Sequence, residues 1–230
     1  MSAAAIRLRD VGVRLGEVDV LQNLSLDLQA RTVAVIGENG SGKSTFARLL
    51  GGLINRTSGE LSIIGIDPAR RAAELRRRIA IVFSNPDAQI IMPTVAEDVA
   101  FSLRAERLPP AELTRRVGAA MEHFGLTELA QRPSHDLSGG QKQLLALCGA
   151  MVRNPELVIA DEPTAYLDAR NARRVAEHLL ADAGHRLVLV THDLALAARC
   201  EQVALFADGA LVGLGEPEEI ISQYEAVLAC

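Results

Sequence analysis

Apolar and polar positions alternate over short stretches near the start of the chain, then give way to longer apolar runs. Ile6 to Asp10, Val11 to Leu15 and Leu24 to Leu28 each read as a strand with one buried face, and together they predict a small antiparallel sheet. Leu61 to Gly65, bounded by Gly59 and Gly65, reads as another short strand. Val33 to Ile36, Ile79 to Phe83, Leu157 to Ala160 and Leu187 to Val190 are continuously apolar, the pattern of parallel strands covered on both faces. Helical patterns fall between them: Phe46 to Leu50, Arg70 to Arg78, Thr94 to Leu103 behind Pro93, Pro110 to about Phe124, Lys142 to Val152, Leu194 to Cys200 and Glu216 to Leu228. Val203 to Ala207 and Ala210 to Leu214 flank Asp208-Gly209, a two-residue hairpin signal. Strands alternating with helices predict an α/β class with a mainly parallel core sheet, an antiparallel β subdomain and a mainly helical insertion over about residues 84–155. A length of 230 residues suits one domain spanning 1–230.

The candidate chemistry sits at the ends of those apolar runs. Gly37-Glu38-Asn39-Gly40-Ser41-Gly42-Lys43-Ser44-Thr45 joins the Val33 to Ile36 strand to a helix, which is the context of a phosphate-binding loop. Its glycines let successive amides point inward, and the helix that starts at Lys43 adds the positive end of its dipole. Lys43 is placed to reach the outer phosphates of a nucleoside triphosphate, and Ser44 to ligate magnesium. A second polar glycine pair opens a helix at Leu137-Ser138-Gly139-Gly140-Gln141, with Ser138 as a natural N-cap. Asp161 and Glu162 close the Leu157 strand at its carboxyl end, where α/β sheets place ligands. Asp161 is suited to hold magnesium through water, and Glu162 to take a proton from an attacking water. His192 follows the Leu187 strand; such a histidine either caps the next turn or packs internally, or else touches substrate.

Composition narrows the function classes. A net charge of -5, 3% aromatic residues and no Trp argue against a nucleic-acid surface, which needs a basic stripe and stacking rings. The basic run Arg70 to Arg78 reads as a solvated helical face. The longest apolar run, Leu144 to Val152, is far short of the roughly 20 residues that span a bilayer. Met1 to Ala5 lacks the basic start and apolar stretch of a secretory leader, and Cys148, Cys200 and Cys230 are odd in number and far apart, so inert thiols in a reducing compartment are expected.

Taken in order, these motifs resemble the ATP-binding subunits of ATP-binding cassette (ABC) transporters. The resemblance spans nearly the whole chain: the phosphate loop Gly37 to Thr45, the signature Leu137 to Gln141, the Walker B end Asp161-Glu162, a D-loop at Ala165-Tyr166-Leu167-Asp168, and a switch histidine at His192. It implies ATP and Mg2+ as ligands, and ATP hydrolysis with Glu162, His192 and Lys43 as the catalytic set. It also implies a sandwich in which a second copy, or a paralogous ATPase, closes its signature over the phosphate loop. Two positions depart from the family pattern. Ser84 stands where a glutamine usually contacts magnesium, and Leu15 stands where an aromatic ring usually stacks on adenine.

Within the family, Asn85-Pro86-Asp87-Ala88-Gln89 followed by Pro93 to Phe101 resembles the ATPases of energy-coupling factor (ECF) importers. That resemblance implies a transmembrane coupling subunit docking near residues 84–104, with a helix from near Gln89 facing it and Glu97, Asp98 and Phe101 in contact, and a separate membrane subunit that captures the substrate. The subunit would lie at the cytoplasmic face of the cell membrane, with no span of its own. The chain stops soon after the Glu216 helix, which resembles the biotin-uptake type more than the cobalt or nickel type. An exporter ATPase and a regulatory nucleotide-binding module with little turnover are the alternative readings.

Overall fold

The computed structural model describes residues 5–180 and 184–228, and Met1 to Ala4 and Cys230 lie outside them. The chain divides into two compact units: Met1–Ile79, Glu156–Asp161 and Asp182–Cys230 form the first, and Ala80–Pro155 and Glu162–Ala181 the second.

In the first unit, β1 (Ile6–Leu15) pairs antiparallel with β2 (Val18–Leu28) on one side and β4 (Ser58–Ile63) on the other. The two short strands expected over Ile6 to Leu15 are therefore one. The register shifts after Leu8, and Asp10 has a left-handed φ of 50°, so a bulge breaks the alternation that the sequence shows. The parallel core contains β6 (Leu157–Asp161), β7 (Arg186–Val190), β3 (Thr32–Gly37) and β8 (Gln202–Ala207) side by side in that order, and β9 (Ala210–Gly215) adds an antiparallel edge. Every residue of β3 and β6 is buried, as continuous apolar runs require. Phe46 of α1 (Lys43–Leu50) meets Phe206 of β8 at 5.0 Å between ring centroids and joins both sheets through one apolar core. The Asp208-Gly209 turn has positive φ at both residues, the conformation a two-residue hairpin needs.

Helix α2 (Pro68–Arg78) buries only Pro68 and Leu75. Its arginines face outward, with Arg71 paired to Glu74 and Arg78 to Glu156, as a solvated face should be. The first unit ends in α7 (Leu194–Ala197) and α8 (Pro217–Leu228).

The second unit begins with β5 (Ile79–Phe83), whose first residue belongs to the first unit, and is otherwise helical: α3 (Val95–Ser102), α4 (Pro110–Phe124), α5 (Gly139–Met151) and α6 (Ala169–Leu180). Helix α5 is its centre. Leu144, Leu145, Leu147 and Cys148 are fully buried, and α3, α4 and α6 each pack on it. No helix among the described residues is long and apolar enough to cross a membrane.

Candidate functional site

The phosphate loop bridges β3 and α1 in the first unit. Gly37, Gly40 and Gly42 have φ of 142°, 84° and 97°, values that side-chain-bearing residues rarely take. At Gly37 a Cβ would lie 2.1 Å from the Phe206 carbonyl oxygen, so the loop leaves β3 hard against β8. Gly42 caps α1 without a side-chain acceptor, which leaves the first-turn amides of that helix for an anion. The buried Lys43 ammonium donates to the carbonyls of Gly37 (2.7 Å) and Glu38 (2.6 Å), which brings its charge into the mouth of the loop. The Ser41 hydroxyl is buried with no hydrogen-bond partner among the described residues. Such an orphan costs free energy unless a ligand engages it. Thr45 is buried one turn along, and Glu38, Asn39, Gly40 and Ser41 form one wall of a cavity of about 480 Å³ shared with Asp208 and Tyr224.

Ser44 Oγ donates to Asp161 Oδ1 at 3.0 Å, so the first turn of α1 and the end of β6 present two oxygens side by side. That donor set fits a magnesium ion. Burial pushes the Asp161 carboxyl above its ordinary value and outweighs the opposing Ser44 hydrogen bond and the nearby Arg48 and Lys43 charges. A bound cation would reverse that balance. His192 is exposed just beyond β7. The buried Thr191 hydroxyl accepts from Asp193 N, and Asp193 Oδ1 accepts from Leu196 N to cap α7. Capping thus falls to Asp193, not to the histidine. Leu15 ends β1 at 43% exposure, an apolar surface beside Gly16 that suits a purine face.

The second unit holds the remaining residues. Ser138 Oγ accepts from Gln141 N, and Gln141 Oε1 accepts from Ser138 N, a reciprocal capping box. With both side chains spent on the cap and Leu137 and Gly140 buried, the exposed Gly139 presents the first-turn backbone of α5. Glu162 has a φ of 51° and Tyr166 a φ of 63°, so the chain turns sharply twice between β6 and α6. Tyr166 is 98% exposed. Asp168 accepts from Asn171 N (2.9 Å) and Asn171 Nδ2 (2.7 Å), and these donors hold its carboxyl below the usual range.

Ser84 follows β5 in an irregular loop closed by Gln89. Gln89 Oε1 accepts from Phe83 N at 2.8 Å and Gln89 Nε2 donates to Ile81 O at 2.9 Å, so this amide is committed to the backbone of its own loop. Two side chains of α5 brace the same loop. Lys142 Nζ reaches Asp87 at 2.7 Å, and the buried Gln143 donates to Phe83 O at 3.1 Å. The helix expected near Gln89 starts only at Val95, with Thr94 as N-cap. Of the acids assigned to docking, Asp98 turns inward while Glu97 stays exposed. Glu97 completes the capping box with Thr94, and Asp98, 6% exposed, accepts from the amides of Ile91 and Met92 at 2.8 and 2.9 Å. Ile91 is exposed, and the half-buried Phe101 ring has the Arg104 guanidinium 3.7 Å above it.

Comparison with known proteins bears on what this arrangement is for. A family model described as "ABC transporter" matches residues 21–165. The chain belongs to the ABC transporter family. As a member it is an ATP-binding subunit with ATPase activity. A putative ABC transporter ATP-binding protein of Deinococcus radiodurans is 46% identical over 95% of this chain and 96% of its own length. The biotin transport ATP-binding protein BioM of Rhizobium etli is 38% identical over 97% and 99%. The energy-coupling factor transporter ATP-binding protein EcfA1 of Latilactobacillus sakei is 39% identical over 90% and 76%. Among solved structures, cbiO1 of Clostridium perfringens, described as part of the ABC transporter complex cbiONQ, superposes with a TM-score of 0.87 at 28% identity, over 99% of this chain and 94% of that one. The ATP-binding cassette MJ0796, a dimer bound to ADP and Pi in a post-hydrolysis state, gives 0.81 at 27% identity over 92% and 98%.

Some contributors were not singled out from the sequence of this ABC subunit. Gly209 N donates to Ser41 O at 3.2 Å and Gly209 O accepts from Gln22 N at 2.9 Å, so the β8–β9 turn pins the phosphate loop to β2. Asn171 was also passed over, although Asp168-x-x-Asn171 has the spacing of a helix cap.

Proposed function

We propose that this ABC subunit powers an ECF-type importer, hydrolysing ATP in a two-copy sandwich whose motion drives a transmembrane coupling subunit. The Ser44–Asp161 oxygen pair beside the Lys43 ammonium carries the reading: it is a site for a nucleoside triphosphate with its magnesium, in a chain whose relatives include BioM and EcfA1. The first-turn amides of α1 and Lys43 bind the phosphates, and Leu15 covers the base. Glu162 takes the proton of the attacking water, and His192 contacts the γ-phosphate. A magnesium ion on Ser44 and Asp161 supplies neutralisation of charge that builds on the phosphate oxygens. Leu137 to Gln141 of the second copy closes the site with the amides of Gly139 and Gly140.

The coupling subunit docks near residues 84–104, against Ile91 and the Phe101–Arg104 face, with the assembly peripheral to the cytoplasmic face of the membrane. Biotin is the favoured cargo, supported by 38% identity to BioM over nearly the full length of both chains; cobalt or nickel is the next reading. The Gln89 amide is spent on the backbone of its own loop and Ser84 is short, so to take the part of the family's glutamine Ser84 would need a bridging water or a shifted loop.

The test is a reconstituted complex containing the membrane partners that co-purify with the chain. Phosphate release should fall by a factor of about 10² to 10⁴ in Glu162→Gln. Labelled biotin should accumulate in cells that express the complex. Equal phosphate release from the two proteins would leave only a regulatory module. Accumulation of labelled cobalt in place of biotin would reassign the cargo.

A further inference from the structure

The second glycine of the signature has a neighbour that occupies the place of a side chain. An ideal Cβ on Gly140 would lie 2.3 Å from Asn171 Cγ, 2.4 Å from its Nδ2 and 2.7 Å from its Oδ1. A side chain at Gly140 overlaps the Asn171 amide and fits only if that amide moves away. Gly139, one residue earlier, has nothing within 4 Å of the same position. The contact is therefore particular to one face of α5 and is not a general crowding of its first turn.

The other side of the Asn171 amide is held as firmly. Asn171 Nδ2 donates to Asp168 Oδ2 at 2.7 Å, while Asn171 N donates to Asp168 Oδ1 at 2.9 Å. Asp168 thus grips one residue through backbone and side chain together, which fixes the rotamer that lies on Gly140. All three residues belong to the second unit, and α5 and α6 pack against each other there.

We propose that Asn171 is a positioning residue that locks the signature turn of α5 to the D-loop carboxylate through the buried Gly140, so that the exposed Gly139 and Asp168 present to a second copy as one rigid edge. This rests on the two-copy reading above. Nothing in the contact requires Asn171 to touch nucleotide. Its effect is on where the first-turn amides of α5 stand, and a displacement of about 1 Å in such donors is enough to cost up to about a hundredfold in rate.

The experiment is a double-mutant cycle on the full chain, read as kcat and KM for ATP and, separately, as affinity for a fluorescent ATP analogue under non-hydrolysing conditions. Asn171→Ala should lower kcat about tenfold or more and leave KM and analogue affinity within about twofold, because the phosphate loop is untouched. Asn171→Asp, which keeps the shape but loses the donor to Asp168, should fall similarly. Gly140→Ala should be at least as damaging, since it drives a methyl into the amide. The double variant Gly140→Ala/Asn171→Ala should then be faster than Gly140→Ala alone, because the space is restored. Wild-type kcat in Asn171→Ala, or a double variant no faster than Gly140→Ala, overturns the proposal. A loss that appears equally in analogue affinity also overturns it, because that is what general unfolding produces. If the wild-type chain turns over independently of its own concentration, the two-copy reading fails instead, and the cycle then reports whether Gly140 and Asn171 are coupled within one chain.

Discussion

At the scale of single residues, the chain places its charged chemistry where burial makes it expensive and relies on ligands to offset the cost. Asp161 is the clearest case. Burial raises its carboxyl, so the folded chain binds that proton more tightly than the unfolded chain does. Above the raised folded value the buried carboxylate costs stability, and the cost fades as pH falls through it toward the ordinary carboxylate range. Asp161→Asn should therefore raise the melting midpoint of the nucleotide-free chain above neutral pH, by about 2–4 °C for each kcal/mol relieved, and abolish the further rise given by Mg2+ with ATP. Differential scanning fluorimetry with and without Mg2+-ATP checks both halves, and an unchanged Mg2+-ATP response would remove Asp161 from the metal site. The two described cysteines carry no such chemistry. Cys148 and Cys200 are buried, with thiols pushed up to about 12 and about 11, as inert core residues should be. Legibility at this scale followed spacing. The places of Lys43, Ser44 and Asp161 at the start of α1 and the end of β6 were readable because their motifs fix the backbone around them, whereas Asn171 meets Gly140, a neighbour remote in sequence.

At the scale of elements, helix ends decide more than helix faces. Helix α3 was readable from Pro93 and its apolar positions, yet its acids were assigned to a partner because a sequence shows charge without showing direction. The structure spends Glu97 on the capping box and Asp98 on the amides of Ile91 and Met92. Asp98→Ala should consequently destabilise the chain by about 1–3 kcal/mol, because two backbone donors lose their acceptor. Urea denaturation measures this directly, and loss of partner docking with unchanged stability would return Asp98 to the interface. The bulge in β1 is a parallel case. Local alternation suggested two strands, and only pairing with both β2 and β4 makes them one.

At the scale of the whole molecule, the separate amide-rich helix starts at Lys43 and Gly139 make the chain half of a catalytic arrangement under the proposed reading. Specific ATPase activity should then rise with protein concentration until copies associate, and it should fall on dilution below the dissociation constant. A specific activity that stays flat across that range would mean that one chain suffices. The sequence by itself determined the α/β class, nearly all the strands and helices, and where the phosphate loop stands between β3 and α1. These depend on local periodicity, glycine conformations and motif spacing, which the order of residues encodes directly. It also carried the family resemblance that the comparisons support. Only the tertiary structure decided that Gln89 and Asp98 serve their own loop, that the Asp208-Gly209 turn pins Ser41, and that Asn171 fills the space above Gly140. Each of those is a contact a few ångströms long between groups whose approach depends on how whole elements pack, and no local pattern specifies where a side chain ends up pointing.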